Sequence, residues 1–142
     1  MFESRIQRFP ADTGTALSAE FTVLDGVAYL TVIPTASGGL VDGGITAQSE
    51  AVFDQLERKL ARVGANLANV AQMTIYLVDI ETTRVPFNEV YARRMPSGRA
   101  PIRCALGVAG LARPDMRVEL SVVAEVPGSP NSNAAGPTTL IP

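Results

Sequence analysis

Arg103 and Glu119 are the residues through which this sequence could do chemistry. The chain carries no histidine and a single cysteine, Cys104. Imidazole acid–base catalysis, histidine-ligated metals, histidine-activated nucleophiles and an intramolecular disulfide are therefore excluded. What remains is carboxylates, guanidinium groups, hydroxyls, main-chain dipoles and one thiol. Over residues 100–108 the pattern alternates as in a half-buried strand. Ile102, Cys104, Leu106 and Val108 form an apolar face, and Arg103, Ala105 and Gly107 form the other. A guanidinium beside two residues of minimal side chain is shaped to grip a carboxylate through paired hydrogen bonds. An arginine on a solvated strand face is the competing reading. Glu119 can manage a reacting water, or it can be a strand charge paired with Arg117 or Arg103. Cys104, on the apolar face, reads as a buried, inert thiol.

The elements that must position these residues can be read in order. Residues 5–9 alternate and suggest a short edge strand ending at Pro10. Asp25-Gly26 between two β-rich runs, 21–24 and 27–33, predicts a hairpin, because a type I′ turn needs two residues at positive φ. Residues 37–44 are glycine-rich without a phosphate-loop Lys-Ser/Thr or a dinucleotide fingerprint, and read as loop. A helix is expected over 46–63, with Thr46 as N-cap, Glu50 near the positive end and Gly64 just past the end. Its apolar stripe is Val52, Phe53, Leu56, Leu60 and Val63. A strand over 70–80 is apolar on both faces, as in a sheet covered on both sides. A second helix over about 83–95 has Pro86 in its first turn, and a last strand spans 116–126.

This order predicts an α+β fold with two helices on one face of a mixed sheet. The other face, carrying apolar and small residues such as Ala105 and Gly107, is expected to be covered by other copies of the chain. At 142 residues, 46% of them hydrophobic and 18% charged, the chain suits one domain over 1–126 and a flexible Pro/Gly/Ser/Asn-rich tail over 127–142. A net charge of −2 argues against a nucleic-acid partner. No run reaches the ~20 apolar residues of a membrane span, and the first residues lack a signal-peptide pattern. A cytoplasmic location is expected.

Several segments in sequence resemble the Rid (YjgF-type) family. They are Gln48 with Leu56, Leu60 and Gly64-Ala65; Thr74-Ile75-Tyr76-Leu77-Val78-Asp79; Phe87-Asn88-Glu89-Val90-Tyr91; Ala100-Pro101-Ile102-Arg103; and Val118-Glu119-Leu120. The resemblance covers most of residues 20–126. It implies a chorismate-mutase-like subunit, a homotrimer, and ligand sites in the clefts between subunits. It also implies cofactor-free hydrolysis of imines or enamines resembling the 2-iminobutanoate/2-iminopropanoate deaminase reaction. In that scheme Arg103 holds the substrate carboxylate, Glu119 positions or activates the attacking water, and Asn88 lies near the site. Main-chain groups at Cys104 and Ala105 help to frame the substrate. Imine hydrolysis needs neither metal nor histidine.

Two segments depart from that family's deaminases. A Gly-Pro-Tyr-Ser stretch is replaced by Gly14-Thr15-Ala16-Leu17-Ser18, so that about Leu17 stands where a site tyrosine is expected. Ser-Gly-Gln-Ile-Pro is replaced by Leu30-Thr31-Val32-Ile33-Pro34, so that Leu30 or Thr31 takes the place of the site serine. The expected activity is a small imine or enamine carboxylate hydrolase whose substrate differs from the standard 2-imino acids. The alternatives are a non-catalytic carboxylate-binding trimer and, disfavoured by the charge, a ribonuclease.

Overall fold

Residues 3–11 and 14–128 are described by a computed structural model, so the expected tail lies outside the described residues from position 129 onward. β1 (Gln7–Phe9) pairs antiparallel with β2 (Phe21–Leu24), and Phe9 stacks on Phe21 at 4.7 Å between ring centroids. β2 turns into β3 (Val27–Val32) through Asp25 and Gly26, at φ of 50° and 81°. This is the left-handed pair that the Asp-Gly signal predicts. Ser37 and Gly38 repeat it, at φ of 51° and 82°, and join β4 (Thr35–Ala36) to β5 (Gly39–Leu40). The segment expected to be loop thus holds a small ribbon, whose two-residue strands are too short for alternation to reveal.

α1 (Gly44–Ala61) starts before the expected Thr46. Gly43, at φ 114°, is its N-cap, and no side chain caps it. Thr46 therefore lies inside the helix, and Glu50 is too far along to meet the helix dipole; it pairs with Arg93 and Arg94 instead. The end is as expected. Gly64 has φ 74°, its N–H donates to Ala61 O, and the Ala65 N–H donates to Leu60 O, the paired closure of a glycine-terminated helix.

A single 3-10 turn, Leu67–Asn69, leads into β6 (Val70–Val78). α2 (Ile80–Arg94) begins immediately afterwards. Asp79, at φ 53°, turns the chain from strand to helix, in a left-handed conformation that aspartate tolerates better than most residues. Its carbonyl accepts from the Thr82 and Thr83 N–H groups and hydroxyls. Local hydrogen bonding thus moves the start ahead of the expected 83. Ile80 belongs to the helix rather than the strand, and Pro86 lies in the helix interior rather than its first turn.

β7 (Ile102–Val108) and β8 (Val118–Glu125) complete a six-stranded sheet in the order β1-β2-β3-β8-β6-β7, parallel only between β6 and β7. Both helices pack on one face, as predicted, in an α+β chorismate-mutase-like arrangement. Phe53, Leu56 and Leu60 of α1 and Phe87 and Val90 of α2 meet Met73, Ile75, Leu77, Val118, Leu120 and Val122 of the sheet, all buried. Each such side chain contributes about 1.5–3 kcal/mol by leaving water.

The two faces of β7 are reversed relative to the sequence expectation. Met73 pairs with Arg103 and Ile75 with Ala105, so these residues share the helix side of the sheet. A Cβ on Gly107 would come within 2.8 Å of Ile80 Cγ2. The small residues therefore make room for α2 rather than for another subunit. Ile102 and Leu106 are 72% and 43% exposed on the opposite face, and Cys104 between them is exposed rather than buried. On an edge strand with one helix against it, helix packing rather than hydrophobicity decides which face turns inward.

Candidate functional site

Arg103 projects from the edge strand towards α2. Its Nη2 donates to Asn88 Oδ1 at 2.7 Å, and its Cζ lies 4.5 Å from the centroid of the Tyr91 ring. Asn88 and Tyr91, three residues apart on α2, fall on the same side of that helix. No carboxylate meets Arg103 among the described residues. Because β7 is an edge strand, alternate main-chain groups along it face away from β6. Ala105 lies half-buried against the core on the helix side, so its main chain rather than its side chain is what this edge can present to a ligand there, whereas the Cys104 side chain is exposed on the opposite face.

Glu119 occupies a different place. The resemblance implies that it works on the same substrate as Arg103. Within one chain β6 separates β7 from β8, and the two side chains leave the sheet on opposite sides. Glu119 lies on the open face opposite Tyr76, which in turn lies opposite Leu106. It is half-buried, and burial pushes its carboxyl above the ordinary carboxylate value. Neither arginine considered as its counter-ion serves. Arg117 Nη1 donates to Asp79 Oδ2 at 3.1 Å, and Arg103 faces Asn88. Among the described residues the Glu119 carboxyl has no hydrogen bond or ion pair. A partly desolvated carboxylate without a counter-ion is a site candidate on physical grounds.

Thr31 and Cys104 mark the ends of a row that the sequence did not announce. Thr31 pairs with Ser121, Ser121 with Thr74, and Thr74 with Cys104. Three hydroxyls and a thiol thus cross four strands on the open face, between Tyr29, Val123 and Ile102 on one side and Tyr76 and Leu106 on the other. A trough of about 270 Å³ covers one end of this row, lined by Ser18, Thr22, Tyr29, Thr31, Ser121 and Val123 among others. Lys59, near the end of α1, fixes the backbone there by donating to Thr31 O at 2.9 Å and Glu20 O at 3.3 Å; burial lowers its pKa. Leu17 is fully exposed. Gln48 is buried and spans from α1 to the start of β8: its Nε2 donates to Asp115 O at 2.8 Å and its Oε1 accepts from the Arg117 N–H at 2.7 Å.

The structure therefore brings Arg103 to Asn88, and Thr31 and Cys104 onto the face of Glu119. It does not bring Arg103 to Glu119. Tyr91 was missed as a site residue because its spacing also fits the apolar stripe of α2. Ser121 and Thr74 were missed because hydroxyls on strands carry no motif; only the register joins them. Among the described residues no three Cys, Asp or Glu side chains converge as a metal site would require, and no helix is long and apolar enough to cross a membrane.

Comparison with known proteins adds the family context. The model of the family described as endoribonuclease L-PSP matches residues 20–126. A curated Myxococcus xanthus relative, protein DfrA, is 36% identical over 86 residues, spanning 60% of this chain and 63% of the relative. A Rattus norvegicus protein named 2-iminobutanoate/2-iminopropanoate deaminase is 32% identical over 89 residues, spanning 63% of each chain. The crystal structure of a YjgF-family protein from Neisseria meningitidis superposes with a TM-score of 0.74 at 27% identity, covering 84% of this chain and 93% of that one.

Proposed function

This chain belongs to the endoribonuclease L-PSP (YjgF/Rid) family, and on that premise we propose that it is a cofactor-free hydrolase of a small imine or enamine carboxylate. The proposed site lies between subunits of a homotrimer. The observation that carries the reading is the separation of two unneutralised charges, Arg103 and Glu119, on opposite sides of one sheet. Within one chain they cannot meet a single small molecule. Across a subunit boundary they can, if the edge strand of one copy approaches the open face of the next. The exposed Ile102, Leu106 and Tyr29 give that face reason to be covered.

In this reading Arg103 holds the substrate carboxylate from one subunit. Thr31 and the trough beside it, from the neighbour, surround the rest of the molecule. Glu119 of that neighbour takes a proton from water as the oxygen attacks the carbon of the C=N bond. The same carboxyl returns the proton to nitrogen to give a carbinolamine, then relays the hydroxyl proton to nitrogen as the C–N bond breaks, and ammonia and a 2-oxo acid leave. A carboxyl raised by burial suits both steps, because it is a stronger base and holds the proton longer. Thr31 in the trough and the fully exposed Leu17 stand where the family's deaminases carry a serine and a tyrosine, which supports a substrate other than the standard 2-imino acids. They also favour the second reading, a trimer that binds a carboxylate without turnover.

The test is ammonia release from 2-imino and enamine acids generated in situ. Arg103→Ala is expected to lower it by ~100-fold or more and Glu119→Gln to abolish it. Mixing the two variants after subunit exchange is expected to restore it at about a quarter of the interfaces, those combining an intact Arg103 with an intact Glu119. No recovery in verified mixed trimers would overturn the shared-site reading. Ligand-induced thermal stabilisation without ammonia would favour the binding protein.

A further inference from the structure

We propose that Asn88 and Tyr91 are positioning residues that hold the Arg103 guanidinium as a single two-pronged seat for one planar carboxylate, without touching the bound molecule themselves. The inference rests on the reading of Arg103 as a carboxylate anchor, and places Asn88, expected near the site, behind that anchor rather than against the substrate. A guanidinium offers two forks, one formed by Nη1 with Nη2 and one by Nε with Nη2. Nη2 is the nitrogen bound to Asn88 Oδ1 at 2.7 Å. One of its hydrogens is committed there, so one fork is closed and the other left whole. Tyr91 lies against a face of the group, its centroid 4.5 Å from Cζ, and limits rotation by stacking and cation–π attraction.

Both contacts are neutral, and that is what makes them suitable. An acidic partner would hold the guanidinium equally well but would neutralise it and compete with the incoming carboxylate. An amide oxygen orients it and leaves the positive charge available. The Tyr91 hydroxyl is buried without a hydrogen-bond partner, so the position uses the ring and not the phenol. Phe53 and Phe87, with centroids 6.1 and 6.3 Å from that of Tyr91, hold the ring in turn.

The test uses the full chain with isotopically labelled arginine. The Arg103 Nε–H resonance is identified by its loss in Arg103→Lys. It is expected to be displaced from the free-arginine position by the Tyr91 ring current. Tyr91→Phe is expected to keep the displacement and Tyr91→Leu to remove it. Titration with 2-oxobutanoate as an unreactive probe is expected to shift this resonance in the native protein. Asn88→Asp should weaken binding by ~10-fold or more, and Asn88→Ala by less. A merely structural role for Asn88 would affect thermal stability without ranking Asp below Ala in binding.

A resonance at the free-arginine position in the native protein, or one that Tyr91→Leu leaves in place, overturns the cradle. Equal binding by Asn88→Asp and the native protein overturns the role of Asn88. If the native resonance is displaced but the probe moves nothing, the anchor reading fails and the single seat with it, while the stacking contact stands.

Discussion

Arg94, at the end of α2, and Arg103, on the strand packed against that helix, are treated in opposite ways. Each guanidinium lies over an aromatic ring, Phe53 for Arg94 at 5.7 Å and Tyr91 for Arg103 at 4.5 Å. Arg94 then meets three carboxylates: Glu50 and Asp54 at 2.9 Å and Glu57 at 3.4 Å. Arg103 meets one amide oxygen. The carboxylates divide in the same way. Burial would raise Glu50, but hydrogen bonds from Arg94 and Arg93 outweigh it and hold the group below its ordinary value, whereas burial alone acts on Glu119 and raises it. A charge neutralised within the chain ties elements together. A charge that is oriented but left unneutralised is prepared for a partner that the chain does not contain.

Removing each arginine in turn separates the two roles. Arg103→Ala is expected to lower turnover of the best imine or enamine substrate by ~100-fold or more, since an aligned charged contact to the reacting molecule is lost, and to change the thermal midpoint little. Arg94→Ala is expected to do the reverse. It leaves Asp54 and Glu57 without their cation and Glu50 with Arg93 alone, and should cost about 1 kcal/mol of stability because these carboxylates are partly exposed, read by denaturant unfolding, with turnover per folded protein retained. If the two variants exchange these phenotypes, the distinction between tying and anchoring charges fails.

The Arg94 effect should also depend on pH. A carboxyl depressed in the folded state contributes stability that is present above its unfolded pKa and lost as pH falls through the folded one. The stability gap between native protein and Arg94→Ala should therefore narrow on acidification through and below the ordinary carboxylate range. A gap that widens in acid would show that Glu50 is not what Arg94 holds.

How much of this was legible beforehand depended on how local the determining physics is. The Asp25-Gly26 turn, the stripe of α1 and its Gly64 end follow from residues next to one another, and the sequence carried them. So did the buried face of β8, where Val118, Leu120 and Val122 alternate cleanly. The orientation of β7 did not follow, because Ile102, Cys104 and Leu106 look like a core face until α2 is placed against Gly107. The insertion of β6 between β7 and β8 is likewise a matter of long-range pairing, and no spacing in the chain records it. Residue types thus pointed to Arg103 and Glu119 as chemistry, while the side of the sheet on which each works needed the topology.

The smallest expected effect is also the most specific, and it concerns Glu119. Its folded pKa is raised, so the folded state keeps a proton that the unfolded chain has already released. Stability is then complete below the unfolded pKa and declines as pH rises through the folded one, the opposite slope to that of Glu50. Glu119→Gln removes the titrating charge and keeps the shape. It should raise the thermal midpoint at neutral pH by about a degree, a modest gain because water still reaches much of the group. The gain should vanish in acid, where the native carboxyl is protonated as well. The same substitution should abolish turnover, so Glu119→Gln should be more stable and less active at once, as expected of a group kept for function at a cost to the fold. A variant that loses stability at neutral pH would instead mean that the carboxylate has a stabilising partner, and Glu119 would then belong with Glu50 among the charges that tie the fold together.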